Sequence, residues 1–338
     1  MRVLDAIAVA ATVVSLVGAG TPTPTPTPSG SAAPQRTVVV STSDELVDAL
    51  DDAAPGDTIA LLDGTYTGRF RAAADGTAAA PITLTGARAA VLTTGSYASG
   101  VALRITGSHW VVDGVSVTKA GTGIVLEGSE HSTIRDVDVG NVGGTGVHFR
   151  DGSRDGVLEG SDIHDTGVRR PALGDGVAIG SSQRSWKTVT GSSARPDRSD
   201  RVTVRDNDIA ATTGEGVDAK EGTTGGSIVD NRFRRAGFPG EDGTGSTGAD
   251  SWIDLAGNRY AVTGNTGSEA RRDAIQVHGV RGGWGKKNSV AGTTVLGGVP
   301  GFTVWVDEHA VGTTVACTGP GARAADGDAG LSNLRCSG

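Results

Sequence analysis

The sequence predicts an all-β fold, a right-handed parallel β-helix whose open end is closed by a short N-terminal capping helix. Through the middle of the 338-residue chain, a small residue or Trp is repeatedly followed by an apolar-x-apolar pattern, as in strands whose side chains alternate between two faces. Only 4% of the residues are aromatic, which favours a repetitive core of Val, Ile, Leu and Ala. One such coil cannot bury its apolar face alone, so the coils must stack. The right-handed sense follows from the usual handedness of parallel crossovers.

The repeated motif defines inward and outward columns of side chains. Six segments align on it and a seventh looks similar: residues 123–127, 146–150, 176–180, 216–220, 252–256, 274–278 and 301–305. Stacking is expected to turn the second and fourth residues of each segment inward, and the third and fifth outward. Several turns between these segments contain Asn. The outward columns carry the charged residues, so a functional site is expected there.

The beginning of the chain predicts export. Residues 1–20 combine Arg2, an apolar run and small residues near Ala19, the pattern of a signal peptide, although Asp5 leaves an uncleaved membrane anchor open. Residues 21–36 are rich in Thr and Pro and then in Ser, Gly and Ala, which predicts a stiff linker. Residues 37–338 form the predicted β-helix domain. We expect a secreted or cell-wall-associated monomer with no other membrane segment.

Three further features limit the possibilities. The net charge of −8 argues against a nucleic-acid partner. Thr42 followed by Glu45 predicts a capping box at the start of the capping helix. Cys317 and Cys336 are expected to form one disulfide that closes the C-terminal tail of an exported chain.

The candidate site is centred on Glu215, Asp218 and Lys220. Asp218 and Lys220 point outward by parity, whereas Glu215 joins them only if the strand bends at Gly216. Neighbouring coils place further polar residues on or beside this face: His148, Arg150, Asp175, Asp250, Asp254, Asp273 and His278. Insertions at residues 181–199 and 238–249 are expected to wall a groove. Trp284 and Trp305 could stack on sugar rings, and packing against the solenoid is an equal interpretation.

From residue 37 onward the chain resembles right-handed parallel β-helix proteins such as pectate lyase and chondroitinase B. The segment from Glu215 to Lys220 resembles the family of chondroitinase B and certain alginate lyases more closely. In that family a Glu and a Lys five residues later share one strand; the Glu binds calcium and the Lys accepts a proton. Thr213 stands in place of that family's second Glu, and Ala256 in place of its catalytic Arg.

This resemblance implies a polysaccharide lyase that cleaves an acidic, uronic-acid polymer by β-elimination. Lys220 would be the base, with a pKa lowered by a cation and by partial burial. The expected calcium ligands are Glu215, Asp218, Asp254 and Asp250. The expected catalytic residues are Lys220, Arg150, His278 and Asp254, and the expected substrate-binding residues are His148, Asp175, Asp273, Trp284 and Trp305.

Two alternatives use the same residues differently. In a glycoside hydrolase, Asp218, Asp254 and Asp273 on successive coils would supply the acid and the base, and Lys220 would be only a charge partner. In a non-catalytic surface or carbohydrate-binding protein, the charged face would be a solvated ladder of ion pairs.

Overall fold

The computed structural model describes residues 35–238, 248–280, 282–316 and 330–335. The predicted signal peptide, residues 21–34 of the linker and the predicted disulfide between Cys317 and Cys336 lie outside the described residues. Among the described residues, no helix is both long enough and apolar enough to cross a membrane.

Three parallel sheets form the walls of a β-helix, and successive coils add one strand to each sheet. Within the described part of the chain, sheet A has eleven strands: Thr37–Val40, Thr58–Leu61, Ile82–Gly86, Trp110–Asp113, Thr133–Arg135, Val157–Glu159, Thr203–Arg205, Ser227–Val229, Ala261–Thr263, Ser289–Ala291 and Thr314–Val315. Sheet B has nine: Gly64–Thr67, Ala90–Thr93, Ser116–Val117, Asp138–Val142, Asp162–Thr166, Asp208–Thr212, Arg232–Ala236, Thr266–Ser268 and Thr294–Val295. Sheet C also has nine: Phe70–Ala72, Val101–Ile105, Thr122–Glu127, Val147–Arg150, Val177–Ile179, Val217–Ala219, Ile253–Leu255, Ile275–Val277 and Val304–Val306. The predicted all-β parallel β-helix is confirmed.

The predicted register is confirmed for the first six repeats, which all lie in sheet C. The inward residues at their second position are fully buried: Ile124, Val147, Val177, Val217, Ile253 and Ile275. Each pairs with the next along the sheet. The core of the solenoid therefore follows from alternation within short strands.

The seventh repeat is displaced from its predicted register. Val304 rather than Phe302 pairs with Ile275, and Trp305 pairs with Gln276 rather than His278. The cause is a turn before the last strand, in which the Phe302 N–H donates to the carboxylate of Asp273 at 2.7 Å. Residues 301–303 form the connection that leads into the sheet. The strand therefore begins two residues later than predicted.

The capping helix spans Ser43–Asp51 and has the predicted capping box. The Glu45 N–H donates to Thr42 Oγ1 at 3.3 Å, and the Thr42 N–H donates to Glu45 Oε2 at 3.1 Å. Leu46, Ala49 and Leu50 are buried against the first coils. Among the residues that the structure describes, three further short helical segments lie in loops between coils, at Pro171–Leu173, Gln183–Ser185 and Trp186–Val189.

Candidate active site

A cleft of about 640 Å³ lies over the outer face of sheet C. The strand register pairs Asp218 with Asp254 and Asp254 with Gln276, so these three side chains form one row on adjacent coils. The charged and polar residues that line the cleft include Ser182, Asp218, Lys220, Glu221, Asp250, Asp254, Arg272, Gln276 and His278. Ser182 belongs to the insertion at residues 181–199, which therefore borders the groove as expected. Among the predicted catalytic residues, the cleft brings together Lys220, Asp254 and His278.

Beside this row, three carboxylates form an acidic trio. Oxygen atoms of Asp175, Glu215 and Asp218 all lie within 4.8 Å of one another. The chain bends at Gly216 and the strand begins at Val217, so Glu215 is not subject to the alternation of the strand. A side chain at position 216 would clash, since a Cβ there would lie 2.7 Å from the Phe233 ring. The bend at Gly216 that the sequence required is present, and it places Glu215 next to Asp218.

The environment of Lys220 shifts its pKa upward, opposite to the expected direction. Burial alone would lower the pKa of Lys220, but the carboxylates of Asp218 and Asp175 outweigh burial and raise the pKa. The Lys220 Nζ donates a hydrogen bond to Asp218 Oδ2. In the protein without a bound cation, the neighbouring acids stabilise the ammonium form, so the pKa of Lys220 moves in the direction opposite to the prediction. Lys220 is a fixed positive charge in the cleft.

The other two carboxyl groups of the trio both have raised pKa values. Burial raises the pKa of Asp175 to about 7, an effect that Lys220 partly offsets. Burial and the negative charge of Asp218 also raise the pKa of Glu215. The shifts have a common cause, because these carboxyl groups lie close together and close to Asp218, away from most of the solvent.

The predicted calcium ligands are divided between the acidic trio and the rest of the cleft lining. Asp250 Oδ1 accepts a hydrogen bond from Gln276 Nε2 at 2.6 Å, and Asp254 Oδ1 lies 3.6 Å from His278 Nε2. Only Glu215 and Asp218 of that set belong to the trio. Lys220 offsets only part of the negative charge of the trio, whose oxygen atoms lie close enough together to hold a metal ion. Asp175, Glu215 and Asp218 would hold a calcium ion if one is bound, with water completing the six to eight oxygen ligands that calcium requires.

Asp254 and His278 form an acid–base pair at the centre of the cleft. Burial raises the pKa of Asp254 to about 6, although the positive charge of His278 opposes the rise. Asp254 Oδ1 is buried and accepts no hydrogen bond from any described residue. About a quarter of the Asp254 side chain, 26%, remains accessible. Asp254 is therefore a carboxylate that can accept a proton near neutral pH.

Gln276 orients this pair and was not predicted as a site residue. Its Nε2 donates to Asp250 Oδ1 and, at 2.9 Å, to Asp273 Oδ2. With the amide nitrogen used in this way, Gln276 Oε1 faces His278 Nε2 at 2.9 Å, so that nitrogen of His278 carries the hydrogen. The signal that could have identified Gln276 is its position in the same outward column as Asp218 and Asp254.

Arg272 is a second residue that the sequence analysis missed. Its side chain is 61% exposed, and its Nε lies 3.6 Å from Asp273 Oδ2. The guanidinium carbon lies 5.8 Å from the ring centroid of Trp305, which in turn lies 5.2 Å from the His278 ring. Arg272 precedes a repeat and lies in a turn, so strand alternation could not identify it. It supplies an accessible cation on a coil beyond Ala256.

His148 and Arg150 lie outside the cleft lining. His148 Nε2 donates to the Gly180 carbonyl at 2.7 Å, and burial lowers the pKa of His148 to about 4, which keeps the ring neutral. Arg150 pairs with Glu127 at 2.6 Å, and Glu127 also pairs with Arg104. Arg150 therefore belongs to a ladder of ion pairs between coils.

Asp273 and Trp284 are two further predicted substrate-binding residues, and they differ in their access to the cleft. Asp273 is 1% exposed, and its oxygens accept hydrogen bonds from Gln276 and from the Phe302 N–H. It supports the floor of the cleft rather than facing a ligand. Trp284 is partly buried and exchanges two backbone hydrogen bonds with Val280, a residue at the edge of the cleft.

Comparison with known proteins defines the class to which this scaffold belongs. Residues 99–295 match the family model described as right handed beta helix region. The chain therefore belongs to the right-handed β-helix family, in agreement with the resemblance to β-helix proteins noted from its sequence. No curated protein sequence matches the chain.

Its structural relatives include polysaccharide lyases. An alginate lyase from Paenibacillus sp. str. FPU-7 is 31% identical with a TM-score of 0.75, over 89% of this chain and 96% of that one. Pectate lyase Pel9A is 15% identical with a TM-score of 0.62, over 85% of this chain and 81% of that one. The PL6 family alginate lyase AlyGC is 17% identical with a TM-score of 0.54, over 83% of this chain and 40% of that one. The last two similarities concern the fold alone.

Proposed function

We propose that this protein is a secreted polysaccharide lyase that cleaves a uronic-acid polymer by β-elimination. The observation that carries the proposal is a single cleft in which Lys220, Asp254 and His278 lie on three adjacent coils. They supply a fixed ammonium, a carboxylate with a pKa of about 6 and an imidazole. The 31% identity to the Paenibacillus alginate lyase supports the proposal and makes alginate the first substrate to test.

The proposed reaction assigns one role to each group. Lys220 and Arg272 bind the carboxylate of a uronate unit and stabilise the negative charge that develops on it. Asp254 removes the proton from the carbon next to that carboxylate. The electron pair of the broken C–H bond forms the new C=C bond, and the bond from the adjacent carbon to the glycosidic oxygen breaks. His278 gives its proton to the departing oxygen, and Gln276 holds the ring in position.

The hydrolase alternative is less well supported. It needs two carboxylates that reach the substrate from suitable positions. Asp218 is 3% exposed and bound by Lys220, and Asp273 is 1% exposed and hydrogen-bonded. Asp254 would be left as the single accessible carboxylate of the three.

A purely structural role for the charged face does not account for the acidic trio. Exposed ion pairs such as Arg135–Asp113 and Arg234–Asp208 explain charge on the other sheets. Gathering two buried carboxyl groups and one partly buried carboxyl group around one ammonium is unfavourable unless they are paired, and it is not needed for solubility. We infer that the trio serves to hold Lys220 charged and in place.

The experiment measures the ultraviolet absorbance of an unsaturated product during incubation with alginate and other uronic-acid polymers. Lys220→Gln and Asp254→Asn are each expected to lower kcat at least about 100-fold, the usual effect of removing one transition-state contact. Lys187→Gln, which removes an exposed lysine outside the cleft lining, is the matched control and should leave kcat unchanged. Incubation with a chelator tests whether a metal ion held by the acidic trio contributes to the rate.

Each other outcome has a defined meaning. New reducing ends without absorbance would identify a hydrolase. Full activity of both cleft variants would place the site elsewhere. Loss of activity in the chelator, restored by added calcium, would show that the sequence-based calcium prediction is correct.

A further inference from the structure

The outer face of sheet C carries a continuous row of side chains that extends well beyond the cleft. Register places one residue from each strand in this row: Arg71, Arg104, Val125, His148, Ala178, Asp218, Asp254, Gln276 and Trp305. The cleft covers the second half of the row. The first half leads from the cleft toward the N-terminal coils.

Two arginines begin the row, and they are directly opposite each other. Arg71 pairs in register with Arg104 on the adjacent strand, an arrangement in which like charges repel. Arg71 is exposed, and none of the described acids forms an ion pair with it. Arg104 contacts Glu127, but Glu127 is shared with Arg150. These four side chains therefore carry an excess of two positive charges.

Several other surface arginines of the solenoid are compensated by an acid on a neighbouring coil. Arg135 pairs with Asp113 at 2.7 Å, Arg201 with Asp155 at 2.7 Å and Arg234 with Asp208 at 2.8 Å. The uncompensated pair lies on the same sheet and in the same row as the proposed catalytic groups. An anion bound there would remove the repulsion.

No acid interrupts the row between the arginines and the cleft. Val125 and Ala178 are apolar and His148 is held neutral by burial. Arg71 is five strands from Asp218 in the sheet order, which at about 4.8 Å per strand is about 24 Å. Cations therefore lie in the row at Arg71 and Arg104 and beside the other end of the row, in the cleft, at Lys220 and Arg272.

We infer that Arg71 and Arg104 bind carboxylates of an acidic polysaccharide chain that extends from the Lys220 cleft along sheet C toward the N-terminal coils. This inference rests on the proposed function for the identity of the polymer, but the binding itself requires no turnover. A trisaccharide bound at Lys220 is too short to reach Arg71. The arginines therefore favour the binding of long, negatively charged polysaccharide chains. They do not determine which glycosidic bond is cleaved.

The test is affinity electrophoresis of the full chain in gels containing alginate, which reports a dissociation constant without catalysis. Arg71→Gln is expected to weaken binding about threefold and Arg71→Gln/Arg104→Gln about tenfold, the range of exposed ion pairs. The double variant should also show a weaker dependence of binding on salt. Arg234→Gln removes the same charge from sheet B and should bind like the wild type. KM for a uronate trisaccharide should be the same in all variants.

The outcomes separate this inference from the proposed function. If the wild type cleaves alginate and Arg71→Gln binds the polymer as tightly as Arg234→Gln, the inference is overturned and the lyase stands. If the wild type binds alginate without cleaving it and Arg71→Gln binds more weakly, the inference stands and the lyase fails. Equal affinity for a neutral dextran, or no affinity for any acidic polymer, would also overturn the inference.

Discussion

Lys220 and Asp254 lie in one cleft, but their surroundings change their pKa values for different reasons. Neighbouring carboxylates raise the pKa of Lys220 and hold it as an ammonium. Burial raises the pKa of Asp254 to about 6, because the charged form loses its hydration. One group is thus a permanent charge, and the other changes protonation close to neutral pH. This difference suggests that Asp254, rather than Lys220, is the proton acceptor.

The pH profile of the proposed lyase follows from Asp254. A base must be deprotonated to act, so kcat/KM should fall as the pH decreases through about 6. The charge of His278 partly offsets the rise in the pKa of Asp254, so His278→Asn should move this limb to higher pH while lowering kcat. Rates measured with the unsaturated product across this range provide the check. A profile that is flat through pH 6, or a limb that does not move in His278→Asn, would argue against Asp254 as the base.

At the scale of elements, turns between sheet A and sheet B contain a buried ladder of asparagines. Asn231 Oδ1 accepts hydrogen bonds from the Asn207 N–H at 3.1 Å and from Asn207 Nδ2 at 2.9 Å. Asn231 Nδ2 donates to the Val204 carbonyl at 2.9 Å and to Asn265 Oδ1 at 3.0 Å. Asn207, Asn231 and Asn265 are each at most 2% exposed. The ladder satisfies backbone groups that a turn inside a solenoid would otherwise leave unpaired.

Removing the central member of this ladder should destabilise the solenoid. Asn231→Ala leaves buried partners unsatisfied on both neighbouring coils, at a cost of about 3 kcal/mol in the free energy of unfolding. Thr263→Ala, at an exposed position of the adjacent sheet A strand, is the control and should change it by less than about 0.5 kcal/mol. Urea denaturation followed by circular dichroism measures both. Similar stabilities for the two variants would mean that the ladder contributes little.

At the scale of the whole molecule, a stack of coils needs a terminus that covers its apolar end. The helix Ser43–Asp51 provides this cover at the N-terminal end by burying Leu46, Ala49 and Leu50. Its opposite face is exposed, with Val47 at 43%. The helix therefore contributes to the stability of the solenoid. It is distant in sequence from the residues that line the cleft.

Adjacent positions on this helix allow a controlled test of capping. Leu46→Ala should lower the free energy of unfolding by about 2–5 kcal/mol, as for other buried leucines, whereas Val47→Ala should have little effect. Thermal and urea unfolding give the difference, and kcat at a temperature where both variants are folded should equal that of the wild type. Equal destabilisation by the two substitutions would show that the helix does not cover the core as described.

Features that depend on local chemistry could be predicted from the sequence. The capping box needs only Thr42 and Glu45 three residues apart, and the inward columns of six repeats need only alternation within a strand. The seventh repeat could not be placed, because its register depends on a contact between Phe302 and Asp273, 29 residues apart. The alternation of side chains along a strand predicted that Asp218 and Asp254 face the site. This alternation does not apply to Arg272, because Arg272 lies in a turn.

The sequence by itself determined the repeating coil, the capping helix and the sheet face that carries the charged residues, since each rests on a short-range pattern. Only the tertiary structure decided which carboxylates meet, which cations remain accessible and in which direction the pKa of Lys220 moves. Those properties depend on burial and on charges from coils that are distant in the chain. Asp175 and Glu215 are 40 positions apart, yet their carboxyl groups lie within 4.8 Å of each other because stacked coils bring them together.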